Sequence, residues 1–237
     1  MKKHLKRLPA PRSWKIARKE FTWAYKPRPG PHPQEGALPL AHVLREYLGL
    51  ADRAREAERA IFDRSVLVDG RPVRDPKFPV GLMDVVTIKP TKSHYRVLLD
   101  ARGKLALVPI DAAEAAWKLC RVQDRGTVPG GKVQVRLHDG RTMLLAKHEH
   151  ATGTTLKVSV PQQKVLGTLP MAEGNVALLT GGQHAGELVH VARVERTRNP
   201  RANVVHFKEG FSTIVDYVFV VGTETPEIRV PEGQAVV

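Results

Sequence analysis

Short apolar stretches separated by turn residues dominate the chain between residues 93 and 221. Examples are LALVPI, KVQVRL, TLKVSV, NVALLT and NVVHF, each five or six residues long. In the last third of the chain turns recur about every ten residues, a spacing typical of small β sandwiches and barrels. No apolar run approaches the length of a membrane-spanning helix. The pattern predicts an α+β protein that is mostly β and is built from several modules.

Residues 37–92 combine helical and strand patterns. Apolar residues repeat at helical spacing over residues 40–48, and Gly49 ends that pattern. RAREAERAIFDR predicts a second helix with Ile61 on its buried face. VLVDGRPV then predicts two strands joined by a tight Asp-Gly turn, and FPVGLMDVVTI predicts a short closing strand. The stretch therefore predicts a compact α/β module.

Residues 93–170 predict a central β-rich domain with one helix. RVLLD and LALVPI flank the turn ARGK, and KVQVRL and RTMLLA flank the turn HDG, so both pairs predict hairpins. DAAEAAWKLC predicts the helix, because Asp111 is a suitable N-cap and Glu114 follows three residues later. Beyond this domain, residues 171–221 predict a small β barrel, and residues 222–237 predict a short tail.

Residues 1–36 carry much of the chain's positive charge. They hold ten Lys or Arg and two Glu, a net charge of +8, together with six prolines. KPRPGPHP should be extended, because proline occupies every second position. Four of the thirteen aromatic residues, Trp14, Phe21, Trp23 and Tyr25, also lie here. We expect an extended basic arm whose aromatic side chains pack on the protein body or on nucleobases; the alternative is a disordered basic tail.

The net charge of +14 and the pI of about 10.2 indicate a polyanionic partner, either nucleic acid or anionic lipid. The lack of long apolar runs favours nucleic acid. The basic start MKKHLKRLPAP lacks the apolar core of a signal peptide. Cys120 is the only cysteine, which excludes intrachain disulfides and cysteine-cluster zinc sites. We expect a soluble cytoplasmic protein that binds no membrane.

Motifs for catalysis, metals or small molecules are absent from the sequence. TGGQHAG has neither the spacing nor the lysine of a phosphate-binding P-loop, and its Gly-Gly-Gln matches the catalytic loop of peptide-release factors over three residues only. His148-Glu149-His150 offers too few zinc ligands. Cys120 lies in an amphipathic segment, which favours a buried structural thiol. We therefore expect no catalytic residue, no bound metal, no cofactor and no small-molecule substrate.

Arginines and lysines of the arm and of the helical module are the candidate RNA-binding residues. The planar guanidinium group suits phosphate, although Glu56, Glu58 and Asp63 are interleaved and leave open an ordinary solvated helix face. The candidates are Lys2, Lys3, Lys6, Arg7, Arg12, Lys15, Arg45, Arg53, Arg55, Arg59, Arg71, Arg74 and Lys77.

Two segments resemble known modules. RAREAERAIFDRSVLVDG followed by GLMDV resembles the RNA-binding module named after bacterial small-subunit ribosomal protein four. A Ser-Arg pair common in that module is Arg53-Ala54 here, although Arg55 could serve. EGNVALLTGGQHAGELVHVARVE resembles a KOW motif, an element of small SH3-like barrels. The glycines of its turns are Gly174, Gly181, Gly182 and Gly186, and the loop requires positive φ at Gly182 or Gly186.

The order of these parts resembles the archaeal and eukaryotic small-subunit ribosomal protein four, the S-four-e family. The resemblance runs from KKHLKRLPAP through WKLCRV, HDGRT and TGGQHAG to the ending IRVPEGQAVV. It implies a non-enzymatic ribosomal protein that binds small-subunit ribosomal RNA beside neighbouring ribosomal proteins in the cytoplasm. Two alternatives are an RNA-modifying enzyme carrying the same helical module, such as a pseudouridine synthase, and a KOW-type transcription or translation factor.

Overall fold

The computed structural model describes residues 4–145, 150–197 and 202–231. The chain forms two compact units. The first unit comprises Met1–Leu98 with Lys104–Ala116, and the second comprises Leu99–Gly103 with Trp117–Val237. Both are mostly β with few helices, in agreement with the predicted class. Within the described residues, no helix is both long and apolar enough to cross a membrane.

The first unit contains one five-stranded sheet and two small two-stranded sheets. The five-stranded sheet has the order β5-β4-β7-β8-β9, and the small sheets pair β1 with β2 and β3 with β6. The strands are β1 (Leu5–Lys6), β2 (Trp23–Ala24), β3 (Ala37–Pro39), β4 (Val66–Val68), β5 (Arg71–Pro72), β6 (Pro79–Gly81), β7 (Val85–Ile88), β8 (Ser93–Leu99) and β9 (Leu105–Ile110). Because β8 and β9 join this sheet, the predicted domain boundary at residue 93 falls inside a sheet.

Both predicted helices of residues 37–92 are present. The first, α1 (Leu40–His42), continues directly as a π-helix over Val43–Tyr47, and Gly49 follows with a φ of +61°. The second, α2 (Ala54–Phe62), buries Ile61 as predicted. Its first turn is capped by Glu56, whose side chain accepts a hydrogen bond from the Arg53 amide at 3.2 Å. Short 3-10 helices occur at Gln34–Gly36 and Glu114–Ala116.

The Asp-Gly turn between β4 and β5 also forms as predicted. Asp69 has a φ of +49° and Gly70 a φ of +73°, the positive values that a two-residue hairpin turn requires. The Asp69 carboxylate accepts a hydrogen bond from the amide of Val85 at 3.0 Å. The turn is therefore tied to the start of β7.

The described residues of the N-terminal segment belong to the first unit, and Trp14 packs on the protein body, which is one of the two outcomes expected for the aromatic residues of the arm. The Trp14 side chain is 1% exposed, and its indole nitrogen donates to the Ala37 carbonyl at 2.8 Å. The Arg18 guanidinium group donates to three backbone carbonyls of residues 8–11. His32 is buried 2.9 Å from the Asp84 carboxylate. Proline-rich backbone cannot form a helix, but it can be fixed by side-chain contacts of this kind.

His42 lies at the centre of this packing and gives a prediction about pH. Its ring meets those of Trp14 and Tyr25 edge-on, at centroid distances of 5.5 Å. Burial lowers the pKa of His42 from 6.5 to about 4; Glu46 opposes this shift, and Arg7 and Arg45 reinforce it. The folded state therefore favours the neutral ring, whereas the unfolded chain binds a proton below pH 6.5.

Acidification from pH 7 to pH 5 should cost the protein stability through this histidine. We expect a loss of about 2 kcal/mol from His42, because roughly 1.4 kcal/mol accompanies each pH unit between the unfolded and folded pKa values. Denaturant unfolding at the two pH values measures it, with His42→Gln as the comparison. The variant should show a smaller pH dependence; equal dependence in both proteins would contradict the assignment.

The second unit contains two five-stranded antiparallel sheets, with orders β12-β11-β10-β13-β14 and β18-β17-β16-β15-β19. A 3-10 helix at Val215–Tyr217 leads into β19. The strands are β10 (Trp117–Thr127), β11 (Val133–Leu137), β12 (Thr142–Leu145), β13 (Thr155–Ser159), β14 (Val165–Leu169), β15 (Val176–Leu179), β16 (Leu188–Glu195), β17 (Val204–Phe207), β18 (Ser212–Ile214) and β19 (Val218–Gly222). Each sheet has an apolar core, around Cys120 and Leu156 in the first and around Val191 and Phe207 in the second.

The predicted helix over residues 111–120 is wrong. Only Glu114–Ala116 form a helical turn, and β10 begins at Trp117. Residues Trp117 to Arg121 pair with β13. Leu119 and Cys120 are both fully buried there, so long-range pairing and burial prevail over the local capping pattern.

Candidate nucleic-acid interface

Helix α2 turns its alanine face inward and its arginines outward. Ala57 and Ile61 are buried, while Arg53, Arg55 and Arg59 are exposed. This arrangement follows from the helical period of 3.6 residues. The candidates on this helix are therefore accessible to a large ligand.

The acidic residues of α2 are occupied by contacts within the protein. Glu56 caps the helix, and Glu58 accepts a hydrogen bond from the Tyr25 hydroxyl at 2.6 Å. Burial, with the adjacent Glu58, raises the pKa of Tyr25, so its hydroxyl remains a donor. This differs from an ordinary solvated face, on which acids and arginines neutralise each other. No arginine of α2 forms an ion pair within the ranges that the structure describes.

Strand β5 and the loop that follows it add further cations to the first unit. Arg71 and Arg74 are exposed, and Lys77 is partly buried. Asp75, the residue after Arg74, forms an ion pair with Arg28 at a nitrogen–oxygen distance of 2.9 Å. Arg74 is not part of that ion pair. In the N-terminal segment the candidates Lys6, Arg12 and Lys15 are exposed. Two further candidates, Lys2 and Lys3, lie outside the described residues.

Arg7 is a structural cation, which corrects its selection as a phosphate-binding residue. Its side chain is fully buried, and its two terminal nitrogens donate to the two Glu46 oxygens at 3.0 and 3.1 Å. Arg45 lies 2.8 Å from the same carboxylate and is largely buried. Burial alone would raise the pKa of Glu46, but these two arginines hold it below its usual value. Breaking such a pair is costly, so Arg7 is not available to RNA.

Two further basic residues that count toward the net charge of +14 are also buried. Arg96 is fully buried and donates to the Glu114 carbonyl at 2.9 Å; burial lowers its pKa to about 10. Lys118 is fully buried, and its ammonium group lies 2.6 Å from Asp139. Charge counted from the sequence therefore overstates the charge that a ligand meets.

The hairpin of β10 and β11 carries cations that the sequence analysis did not select. Arg125, Lys132 and Arg136 are exposed on or beside these strands. Arg136 is partly neutralised by Asp124 at 3.0 Å. The signal in the sequence was the basic hairpin RGTVPGGK, whose Gly130 and Gly131 both have positive φ.

The glycine-rich loop between β15 and β16 spans residues 180–187 and is closed by backbone hydrogen bonds between Leu179 and residues 186 and 187. Two glycines of this loop have positive φ, Gly182 at +87° and Gly186 at +94°, so the prediction for these two positions is confirmed. Gly174, which precedes β15, also has a φ of +87°. The Gly186 amide donates to the Leu179 carbonyl at 2.7 Å. Gly181 lies against the Tyr217 ring, where a Cβ atom would be 2.7 Å from that ring. Glycine is needed here for backbone geometry and close packing.

The sequence-based expectation of a buried structural thiol at Cys120 is confirmed. Three possible metal-ligand atoms lie within 4.8 Å of one another here: the Cys120 sulfur, a ring nitrogen of His138 and a carboxylate oxygen of Asp139. However, Asp139 already pairs with Lys118 at 2.6 Å and Arg141 at 3.1 Å. Burial would raise the pKa of Asp139, but Lys118 and the other nearby cations lower it. An ammonium group thus stands where a metal ion would have to bind. His148 and Glu149 lie outside the described residues.

Three family models match this chain. They are described as ribosomal family S4e, over residues 91–165; the RS4NT (NUC023) domain, over residues 1–35; and the S4 domain, over residues 39–86. The S4 domain overlaps the predicted helical module.

Curated relatives match over nearly the whole length. The small ribosomal subunit protein eS4 of Methanothermobacter thermautotrophicus is 44% identical, covering 98% of each chain. That of Staphylothermus marinus is 40% identical, covering 98% of this chain and 97% of the relative. The crystal structure of the 30S ribosomal protein S4e from Thermoplasma acidophilum matches with a TM-score of 0.70 and 38% identity, over 79% of this chain and 95% of that one.

Proposed function

The chain belongs to the S4e family of small-subunit ribosomal proteins, and from that membership we propose that it holds folded ribosomal RNA through the exposed cations of its first unit. It is a structural constituent of the small ribosomal subunit and not an enzyme, since its relatives are ribosomal proteins throughout. Neither the RNA-modifying enzyme nor the KOW-type factor has support among these relatives.

The observation that carries the proposal is the exposure of arginines on α2, on β5 and just after β5, within the stretch that the S4 domain model matches. Folded RNA hides its base edges in a deep, narrow groove, so proteins recognise it mainly through phosphates, 2′-hydroxyls and shape. Guanidinium groups can bind two phosphate oxygens at once. We assign the contacts to Arg53, Arg55, Arg59, Arg71 and Arg74, and to Lys6, Arg12 and Lys15 of the N-terminal segment.

The second unit is proposed to carry a KOW-type SH3-like barrel over residues 171–221. Its five short antiparallel strands, its order β18-β17-β16-β15-β19 and its positive-φ glycines support this assignment. The loop around Gly182 then presents backbone, with little side-chain obstruction, to RNA or to a neighbouring ribosomal protein. The working location is the ribosome in the cytoplasm.

Sedimentation in high salt tests membership of the subunit. A tagged chain, expressed in the cell that encodes it, should move with small subunits at one copy each and remain there after a high-salt gradient. A peripheral translation factor would be present below one copy and would be removed by salt. Migration only at the top of the gradient, or only with RNA polymerase, would contradict the proposal.

A further inference from the structure

Three large apolar side chains of the N-terminal segment remain exposed although the rest of the segment is packed. Leu8, Phe21 and Trp23 are 67%, 57% and 58% exposed. Phe21 and Trp23 are two residues apart; Trp23 is the first residue of β2, and Phe21 precedes that strand. Their exposure contrasts with that of Trp14, which is 1% exposed in the same segment. The Trp23 ring contacts that of His4 at a centroid distance of 5.7 Å, yet more than half of Phe21 and of Trp23 remains exposed.

The Phe21 ring is held in place by cations that are themselves fixed. The guanidinium carbons of Arg7 and Arg45 lie 5.3 and 5.2 Å from its centroid. Both arginines are bound to Glu46, and Arg7 is fully buried. A ring supported in this way loses little side-chain entropy when a ligand stacks on it.

The charge around the two rings fits a nucleic acid. Four cations of residues 4–26 are exposed, Lys6, Arg12, Lys15 and Lys19, against one acid, Glu20. Lys6 pairs across the strand with Trp23, and its ammonium nitrogen lies 6.0 Å from the indole centroid. Lys19, two residues before Phe21 in the sequence, is exposed. Aromatic rings interleaved with cations are the arrangement that binds single strands, with bases on the rings and phosphates on the cations.

We propose that Phe21 and Trp23 form a stacking platform for unpaired nucleobases of RNA, with Lys6 and Lys19 binding the adjacent phosphates. The proposal rests on the ribosomal function above and adds a second mode of recognition to it. The arginines of α2 bind phosphates of helical RNA, whereas the platform binds a single-stranded segment. A duplex cannot use the platform, because its bases are already stacked on each other.

Binding of two RNA probes to the full-length chain tests the platform. The probes are a labelled 12-nucleotide oligouridylate and a 12-base-pair RNA duplex. Trp23→Ala should weaken oligouridylate binding roughly tenfold, since one base–aromatic stack is lost, and should change duplex binding less than twofold. Phe21→Ala should behave in the same way, and Trp23→Phe should keep most of the affinity. The matched control is Phe62→Ala, because Phe62 is 58% exposed on α2 and has no place in the platform.

Tryptophan fluorescence gives an independent readout. Oligouridylate should quench the emission of the parent chain, and Trp23→Phe should remove most of the quenching, because Trp14 is buried and Trp117 is partly buried with Lys157 over its ring at 4.1 Å. Unchanged oligouridylate affinity in Trp23→Ala and Phe21→Ala would overturn the platform, as would equal losses for single strand and duplex. Stronger competition by polyglutamate than by oligouridylate would also overturn it, in favour of an acidic protein partner. None of these results bears on sedimentation with the small subunit, which tests the proposed function separately.

Discussion

Gly186→Ala is expected to lower the free energy of unfolding of the second unit by about 4 kcal/mol, from backbone strain of 1–3 kcal/mol and overpacking of similar size. Gly186 is buried with a φ of +94°, which L-residues rarely adopt. A Cβ atom at this position would also overlap the backbone carbonyl oxygen of Asp100. A backbone atom cannot rotate away as a flexible side chain can, so the two costs add.

The matched control lies in the same loop. Gly182 has a φ of +87°, but the nearest atoms to a Cβ there are 3.8 Å away, on Tyr217, and 3.9 Å away, on Thr213. Gly182→Ala should therefore cost only the backbone term, about 1–2 kcal/mol. Denaturant unfolding of the three proteins separates the effects. Equal stability of Gly186→Ala and Gly182→Ala would show that the close approach of Asp100 is not a constraint.

Trp14→Ala is expected to lower the free energy of unfolding of the first unit by about 3–5 kcal/mol, the usual cost of deleting a buried tryptophan side chain. The indole is 1% exposed, meets the His42 ring edge-on and donates to the Ala37 carbonyl. The substitution leaves a cavity and removes the donor for a buried carbonyl. Thermal unfolding followed by circular dichroism measures the loss.

Trp23→Ala is the control for this prediction. The same residue type in the same segment is 58% exposed, so its removal should change stability by less than about 0.5 kcal/mol. If Trp14→Ala were as stable as the parent, the N-terminal segment would be a detachable arm after all. Comparison of the two variants thus separates the structural role of the N-terminal segment from its role in binding.

Local signals in the sequence were sufficient for the helices of the first unit and for turns in both units. The helical spacing over residues 40–48, the Asp69-Gly70 turn and the positive φ of Gly182 and Gly186 each depend on a few neighbouring residues. The resemblance that identified the family depended in the same way on motifs and their order. Such features require no knowledge of which distant segments meet.

Long-range contacts explain what the sequence did not reveal. Cys120 and its neighbours form a strand because β13 pairs with them from more than thirty residues away. Arg7 is buried because Glu46, 39 residues later, takes its guanidinium group. Trp14 is fixed by the Ala37 carbonyl although prolines surround it in sequence. For the nucleic-acid interface, the sequence could not distinguish exposed cations from buried ones, because burial depends on these long-range contacts.

The salt dependence of RNA affinity tests most directly the claim that exposed cations of the first unit hold ribosomal RNA. The parent chain is compared with a variant in which Arg53, Arg55, Arg59, Arg71 and Arg74 are all glutamine, using small-subunit ribosomal RNA at several salt concentrations. Each phosphate contact contributes roughly 0.7–0.9 to the slope of log K against log salt, so the slope should fall by about 4 units.

The control variant replaces exposed cations of the second unit with glutamine, at Arg193, Arg196 and Lys208. These lie in residues 171–237, whose net charge is −2, and the slope should change by less than about one unit. Circular dichroism of each variant verifies that its fold is retained. We expect a shallower slope for the five-arginine variant alone; identical slopes for that variant and the parent would contradict the assignment of these arginines to RNA binding.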